Sequence, residues 1–504
     1  MANPRILIVT PEISYLPEGL GNLADHMHAK AGGLADVSSS LVKSLYEAGA
    51  DVHVALPNYR RLFRIEPCQL LDMELRHYHS KLPSDRIHLA EDRVFYYRDQ
   101  VYSPYRDDNI RCSLVFQREV INNIIPHVRP DIVHCNDWMT GLIPAMTRRI
   151  GITSLFTLHN IHSVNILLEQ IEETGIDTSE FWHHLYYQYP PANYEECRSS
   201  NPADMLVSGI FAAHWVNTVS PGFLNEIIEG QHDNIPANVR DELSSKQAHG
   251  FATGILNAPD PSYDPSSDKA LACTYPVDTF RTGKAINKLH FQREMGLEPK
   301  KDVPLFFWPS RLDPVQKGPE ILSDILANLI HKHGRGAIQF AFVADGPHAI
   351  HIREIISMEG LDGSVSIRPF DENLSRLGFA ASDFMLMPSK FEPCGLTQMI
   401  ALKYGSLPIV HKTGGLKDTV EHLDMVNSTG NGFVFEDYDS NALDWAIQCA
   451  MDFYQIPPAI RHAEIDRVMR EATTRFTHQQ TANNYINLYE EMLGKTLYFK
   501  QKPG

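Results

Sequence analysis

No stretch of this sequence holds the roughly 20 consecutive apolar residues that a membrane-crossing helix needs, which argues against a helical membrane protein. Cysteine is sparse. The seven thiols, Cys68, Cys112, Cys135, Cys197, Cys273, Cys394 and Cys449, include no CxxC pair, so neither a zinc site nor a disulfide framework is expected. Most of them read as small core residues. Positive charge is also short: 45 Lys and Arg against 62 Asp and Glu leave a net charge of -17, which disfavours nucleic acid and anionic membranes as partners. There is no repeat at solenoid period and no low-complexity tract. The opening MANPR leads straight into ILIVT, too short for a signal-peptide core, so a cytoplasmic location is expected. With cations scarce, the few Lys and Arg residues beside glycine-rich turns become informative about anionic ligands.

What is present is α/β patterning, twice over. At 504 residues the chain exceeds one hydrophobic core, and two domains of roughly 200 to 250 residues are expected. Strands are expected at Arg5 to Thr10, Asp51 to Leu56, Asp131 to Cys135, Ser154 to Leu158 and Trp215 to Val219. A second set follows at Pro304 to Trp308, Gln339 to Val343, Ser364 to Arg368, Phe384 to Met387 and Leu407 to Val410. Between the first two strands Leu34, Val37, Leu41, Leu45 and Ala48 keep helical spacing, with Gly49 suited to a C-terminal cap. The Pro-, Asp- and Ser-rich stretch Asn257 to Pro276 reads as a loop or linker rather than a core element. The expected division is therefore 1–257, 258–480 and a C-terminal helix in 481–504 that crosses back to the first domain. Two such sheets place ligands at the carboxyl ends of their strands, facing an interdomain cleft.

Three clusters follow expected strands. Lys30 stands before Ala31, Gly32, Gly33 and Leu34, where helix-opening amides and glycine permit close approach of a phosphate; a plain tight turn is the alternative. Arg311 and Lys317, in SRLDPVQKG after the apolar PLFFW, pair a guanidinium fork with a point charge, as a diphosphate requires; solvated surface charges are the alternative. In the third cluster Glu392 occupies a turn followed by Cys394, Gly395 and Leu396. A second glycine turn, Thr413, Gly414 and Gly415, opens another helix. A carboxylate there can accept hydrogen bonds from sugar hydroxyls while the amides meet phosphate. Cys394 reads as a packing residue within that turn, and His53, His134 and His162 as structural, since they lack ligand spacing.

KAGGLADV, HCNDWMTGLIP, LHNIHS, NTVSPGF, SRLDPVQKG, PSKFEPCGLTQM, TGGLKDTV and GNGFVFED occur in the order found in the bacterial glycogen synthase and plant starch synthase family, and the chain resembles that family over almost its whole length. The resemblance implies a GT-B fold and transfer of glucose, with retention, from a nucleotide sugar to the non-reducing end of an α-1,4-glucan. ADP-glucose is the favoured donor, and no metal or other cofactor is expected. It also implies that Arg311 and Lys317 hold the donor phosphates together with amides near Gly33, Gly395, Thr413 and Gly415. Lys30 would lie near the diphosphate and donor sugar, Glu392 would bind glucose hydroxyls, and Asp137 and His159 would serve the sugar and acceptor. The leaving phosphate itself would take the acceptor's proton.

The chain also departs from the family. Before Lys30 it carries a long segment near 14–29 where a short loop is usual, so that Lys30 keeps its implied role only if the insertion folds away from it. Asn136 and Met139 replace residues that are commonly His, and SVNILLEQ follows LHNIHS in place of the usual pattern. The aromatic-rich Glu169 to Asn201 can stack on sugars or form core. A transferase with a smaller acceptor, and a non-catalytic glucan-binding homologue, are the alternatives. An epimerase is opposed by SRLDPVQKG together with EPCGLTQ.

Overall fold

The computed structural model describes residues 4–21, 23–63, 86–232 and 235–495. Cys68, and the part of the expected C-terminal segment beyond residue 495, lie outside them. The chain divides into two compact units: Met1–Val219, Leu224–Ile255 and His478–Gly504 form the first, and Ser220–Phe223 with Leu256–Thr477 the second.

In the first unit the strands are β1 (Arg5–Val9), β2 (Asp51–Pro57), β3 (Ile87–Ala90), β4 (Ile132–Asn136), β5 (Thr153–Leu158), the short β6 (Asn165–Ile166) and β7 (Ala203–Asp204), β8 (Trp215–Thr218) and β9 (Ala252–Gly254). β6 and β7 form a small antiparallel pair. The rest make one parallel sheet in the order β3-β2-β1-β4-β5-β8-β9. Ile6, Leu7, Ile8 and Val9 are buried, as a strand covered on both faces requires. Ile6 pairs with Val52 on one side and Ile132 on the other, and here, between β1 and β4, the strand order reverses. Loops leaving the two strands diverge at such a reversal and leave a crevice at their carboxyl ends.

The second unit repeats the plan with β10 (Leu305–Trp308), β11 (Gln339–Val343), β12 (Val365–Arg368), β13 (Phe384–Met387), β14 (Leu407–His411) and β15 (Phe433–Phe435). All are parallel, in the order β12-β11-β10-β13-β14-β15, so the reversal falls between β10 and β13.

The strands expected from sequence are present, with ends shifted by a residue or two. β3, β6, β7, β9 and β15 are additional: β3, β9 and β15 are edge strands of three or four residues and β6 and β7 have two each, all too short to display a period. The division falls at Ile255, with His478 already in the first unit. The helix His478–Leu493 lies against that unit's sheet, where the Tyr485 hydroxyl accepts from Asn217 Nδ2 (2.9 Å) and the Tyr489 hydroxyl meets His134 Nδ1 (2.8 Å). The reading of Asn257 to Pro276 as no part of a core needs correction. Residues 255–276 are irregular, yet Tyr275 is fully buried in the second unit's core and donates to the Tyr404 carbonyl (2.8 Å), while Asp268 accepts from the Tyr404 hydroxyl and from Arg376. Composition marked the lack of regular structure correctly but not the burial.

The insertion before Lys30 closes on itself. Ile13 and Ala29 form an antiparallel bridge with reciprocal backbone bonds of 3.0 and 2.7 Å. The loop they clasp runs down one face of the helix Gly33–Glu47: Ser14 bonds Asp36, the Ser14 and Tyr15 amides donate to Ser39 Oγ (2.8 and 3.0 Å), the Tyr15 ring faces Lys43, and Gly19 sits against the Tyr46 hydroxyl. Leu16, Leu20, Ala24 and Met27 are buried beneath it. Positions 36, 39, 43 and 46 climb toward the helix C-terminus, so the insertion leads away from the helix start at Gly33. Ser39 is the fulcrum, because it accepts both amides while donating to Ala35 O (2.8 Å). Ser39→Ala is expected to cost about 1–3 kcal/mol by leaving two amides without an acceptor. Urea denaturation would measure that loss, and limited proteolysis should show cleavage moving into the insertion.

Candidate active site

In the first unit, three polar side chains gather at the carboxyl ends of β1, β4 and β5. Just beyond β1, Glu12 is buried and its Oε2 accepts from the Ala31 and Gly32 amides (2.7 and 2.9 Å), while Oε1 accepts from the Tyr102 hydroxyl (3.1 Å). Burial pushes the Glu12 carboxyl above its ordinary range, and the three hydrogen bonds oppose that shift. Two of the amides expected to meet phosphate are thus held by a carboxylate of the chain itself. Lys30 pairs instead with Asp36 (2.8 Å) and stays about one-third exposed (35%). A Cβ at Gly32 would meet nothing within 4 Å, so no crowding demands glycine there.

Asp137 follows β4 with φ +58° and ψ -179°, a backbone state otherwise almost confined to glycine. Its own amide donates to Thr157 O (3.0 Å). Its carboxylate accepts from the His159 amide (2.8 Å) and from Asn160 Nδ2 (3.2 Å). Burial, with a smaller push from Glu12, raises the Asp137 carboxyl to about 7. His159, after β5, places Nε2 2.9 Å from Asn136 Oδ1, and Asn136 Nδ2 in turn donates to Val9 O (3.1 Å). Burial holds the His159 imidazole down to about 3, so it is neutral; with Nε2–H donating to Asn136, Nδ1 is left as the acceptor. Asn136 is therefore the residue that orients His159.

In the second unit, Arg311 and Lys317 follow β10, and Glu392 follows β13 across the strand reversal. Lys317 Nζ meets Glu392 Oε2 at 2.5 Å, and Ser389 Oγ donates to the same oxygen (3.2 Å). Arg311 is 70% exposed, its nearest carboxylate contact being Asp313 at 4.0 Å. The turns are held by glycines with no room for a side chain. A Cβ at Gly318 (φ +71°) would lie 2.2 Å from Pro388 O, and one at Gly415 would lie 2.0 Å from Cys394 O. The Gly415 amide donates to Glu392 O (2.9 Å), tying the two glycine turns together. The Gln398 side-chain amide adds to this tie, its Nε2 donating to Cys394 O, Gly395 O and Thr419 Oγ1. Cys394 is buried, which raises its thiol to about 12 and fits a packing role. Leu396 and Thr413 are the residues that precede helices Thr397–Lys403 and Gly414–Thr419. These helices are only seven and six residues long, so any attraction for an anion comes from local amides more than from a macrodipole.

Sequence reasoning missed Glu12, Tyr102 and Ser389, and it noted Asn136 as a departure from the family without assigning it a partner. Of the three missed, only Glu12 carried a signal, its position directly after a buried strand. Of the other sequence candidates, His134 is buried between Thr157 Oγ1 and Tyr489, and in the aromatic-rich stretch Phe181, Leu185 and Tyr187 are buried in the first unit.

The Asp137 backbone gives a clean comparison. Asp137→Gly and Asp137→Ala both lose the carboxylate, but only Ala keeps the strain, so the glycine variant should be the more stable by about 1–2 kcal/mol in urea denaturation. The raised carboxyl pKa adds a pH signature. The unfolded chain ionises near 3.8 and the native residue near 7, so this group's stabilising contribution is full below the first value and is lost as pH rises through the second. Asp137→Asn should flatten the fall in stability between about pH 4 and 7.

Comparison with known proteins identifies the family and the fold. A starch synthase catalytic domain matches residues 5–237 and a group 1 glycosyl transferase domain matches residues 303–452. The glycogen synthase of Exiguobacterium sibiricum is 33% identical, covering 91% of this chain and 95% of its own length; that of Moorella thermoacetica is 33% identical, covering 97% of each. The catalytic domain of starch synthase IV from Arabidopsis thaliana, solved with ADP and acarbose, superposes with a TM-score of 0.75 at 24% identity, covering 98% of this chain and 100% of that one. The two doubly wound units are those of the GT-B fold, and the chain belongs to the glycogen and starch synthase family of glycosyltransferases.

Proposed function

We propose that the chain transfers glucose from ADP-glucose to the non-reducing end of an α-1,4-glucan, with retention at the anomeric carbon. The observation that carries this reading is the Lys317–Glu392 pair at the second unit's strand reversal, an ammonium and a carboxylate held together where a ligand crevice is expected. Lys317 and Arg311 stabilise the charge that builds as the nucleoside diphosphate leaves, the role in which preorganised cations act most strongly. Glu392 accepts hydrogen bonds from glucose hydroxyls and fixes the sugar, with amides near Gly33, Gly395, Thr413 and Gly415 assisting at the phosphates. Lys30 sits by the diphosphate and donor sugar.

On the acceptor side, neutral His159 offers Nδ1 to a hydroxyl, and Asp137 holds the loop that presents it. The leaving phosphate takes the acceptor's proton on the same face, so the protein's work is positioning and charge stabilisation. ADP is favoured as the nucleotide because the starch synthase IV domain was solved with it, and a glucan acceptor because the relatives are named glycogen synthases.

The test is nucleoside diphosphate release from ADP-glucose and UDP-glucose, each with and without glycogen. Glycogen-dependent ADP release is expected, reduced about 10²- to 10³-fold in Glu392→Ala and in Lys317→Gln. Release from UDP-glucose alone would overturn the donor. Release only with short maltooligosaccharides would move the reading to a smaller acceptor.

A further inference from the structure

The second unit carries a groove that the proposed reaction does not use. It has a volume of about 660 Å3, and none of Arg311, Lys317, Glu392, Gly395 or Thr413 lines it. Volumes of about 300–1,000 Å3 are those of ligand sites. Val434 and Phe435 of the edge strand β15 line it. On its wall stands Trp445, an indole 52% exposed, on the helix Ser440–Gln455. The ring is not loose: it lies nearly parallel to the His422 imidazole, with centroids 5.4 Å apart and planes at 21°. His422 is itself fixed, since its Nδ1 accepts from the Val434 amide (3.2 Å).

Charged side chains surround this aromatic stack. Lys412, Lys417, Glu421, Glu436 and Asp437 line the groove, and Lys412 pairs with Glu436. Three carboxylates against two ammoniums repel a polyphosphate or nucleotide but suit a neutral polyol, whose hydroxyls can donate to carboxylates and accept from lysines. A flat aromatic face flanked by such groups matches a pyranose, which has one apolar C–H face and a polar edge. A pre-stacked ring also gives up little conformational freedom on binding.

We propose that the Trp445–His422 groove is a second, non-catalytic site for an α-glucan chain. It rests on the reading that the acceptor is a polymer, because only a polymer can occupy this groove with one segment while presenting a chain end to the chemistry. Such a second contact raises the effective concentration of chain ends. Its signature is therefore selective for long acceptors.

Trp445→Ala is the test, with Val426→Ala as control, since Val426 is 92% exposed and does not line the groove. Alanine is favourable in an exposed helix position, so the fold should be retained. In native gels containing glycogen, migration of the wild-type protein and of Val426→Ala should be retarded, and Trp445→Ala should bind about tenfold more weakly. The glycogen KM should rise correspondingly, while kcat with maltotriose and the donor KM stay unchanged. Wild-type retardation and KM in Trp445→Ala, with glucan transfer intact, would overturn the second site and leave the proposed function standing. Weakened ADP binding in Trp445→Ala would also overturn it, in favour of a nucleotide site. Loss of retardation in Trp445→Ala, in a protein that shows no glucan transfer, would support the groove while overturning the function.

Discussion

Reversal of strand order is the constraint on which the rest depends. An open parallel sheet forms a crevice at the carboxyl ends of its strands where consecutive loops part, and the described strands of each unit reverse order once, beside β1 and β4 in the first and beside β10 and β13 in the second. Glu12, Lys30 and Asp137 follow the strands at the first reversal; Arg311, Lys317 and Glu392 follow those at the second. Residues far apart in sequence meet because of this. Lys317 and Glu392 are separated by 75 positions and share a hydrogen bond.

Within that frame, polar groups are arranged by being buried and then answered. Each carboxylate in the first unit's cluster is out of water, so each would be costly without partners. Glu12 has two amides and a phenol, and Asp137 an amide and a side-chain amide. These contacts hold a loop geometry that sequence propensity alone would not choose, most plainly the glycine-like backbone at Asp137. In the second unit, steric exclusion does the equivalent work: Gly318 and Gly415 permit backbone approaches that any Cβ would block.

The periodic parts of this architecture were legible in sequence. Buried runs such as RILIV and LFFW announce central strands, and the glycine turns after them announce where the chain approaches itself or a ligand. Other features left no local trace. Asn136 acts on His159 across neighbouring strands, so its partner is 23 positions away and invisible to any window. Edge strands such as β15 are too short for alternation to register. Tyr275 lies in a stretch whose Pro, Asp and Ser content signals irregular backbone, and irregular backbone says nothing about whether one aromatic anchors it to a core. The occupation of the Ala31 and Gly32 amides by Glu12 was equally hidden, because a glycine turn looks the same whether its amides await a ligand or already have a carboxylate.

The clasp between Ile13 and Ala29 has a practical side. Because the chain leaves and rejoins its path at two hydrogen-bonded residues, the approach to Lys30 is fixed by the clasp and not by the tip of the loop between them. The exposed tip at Glu18 and Gly19 is therefore where a reporter or affinity tag could be grafted into the chain.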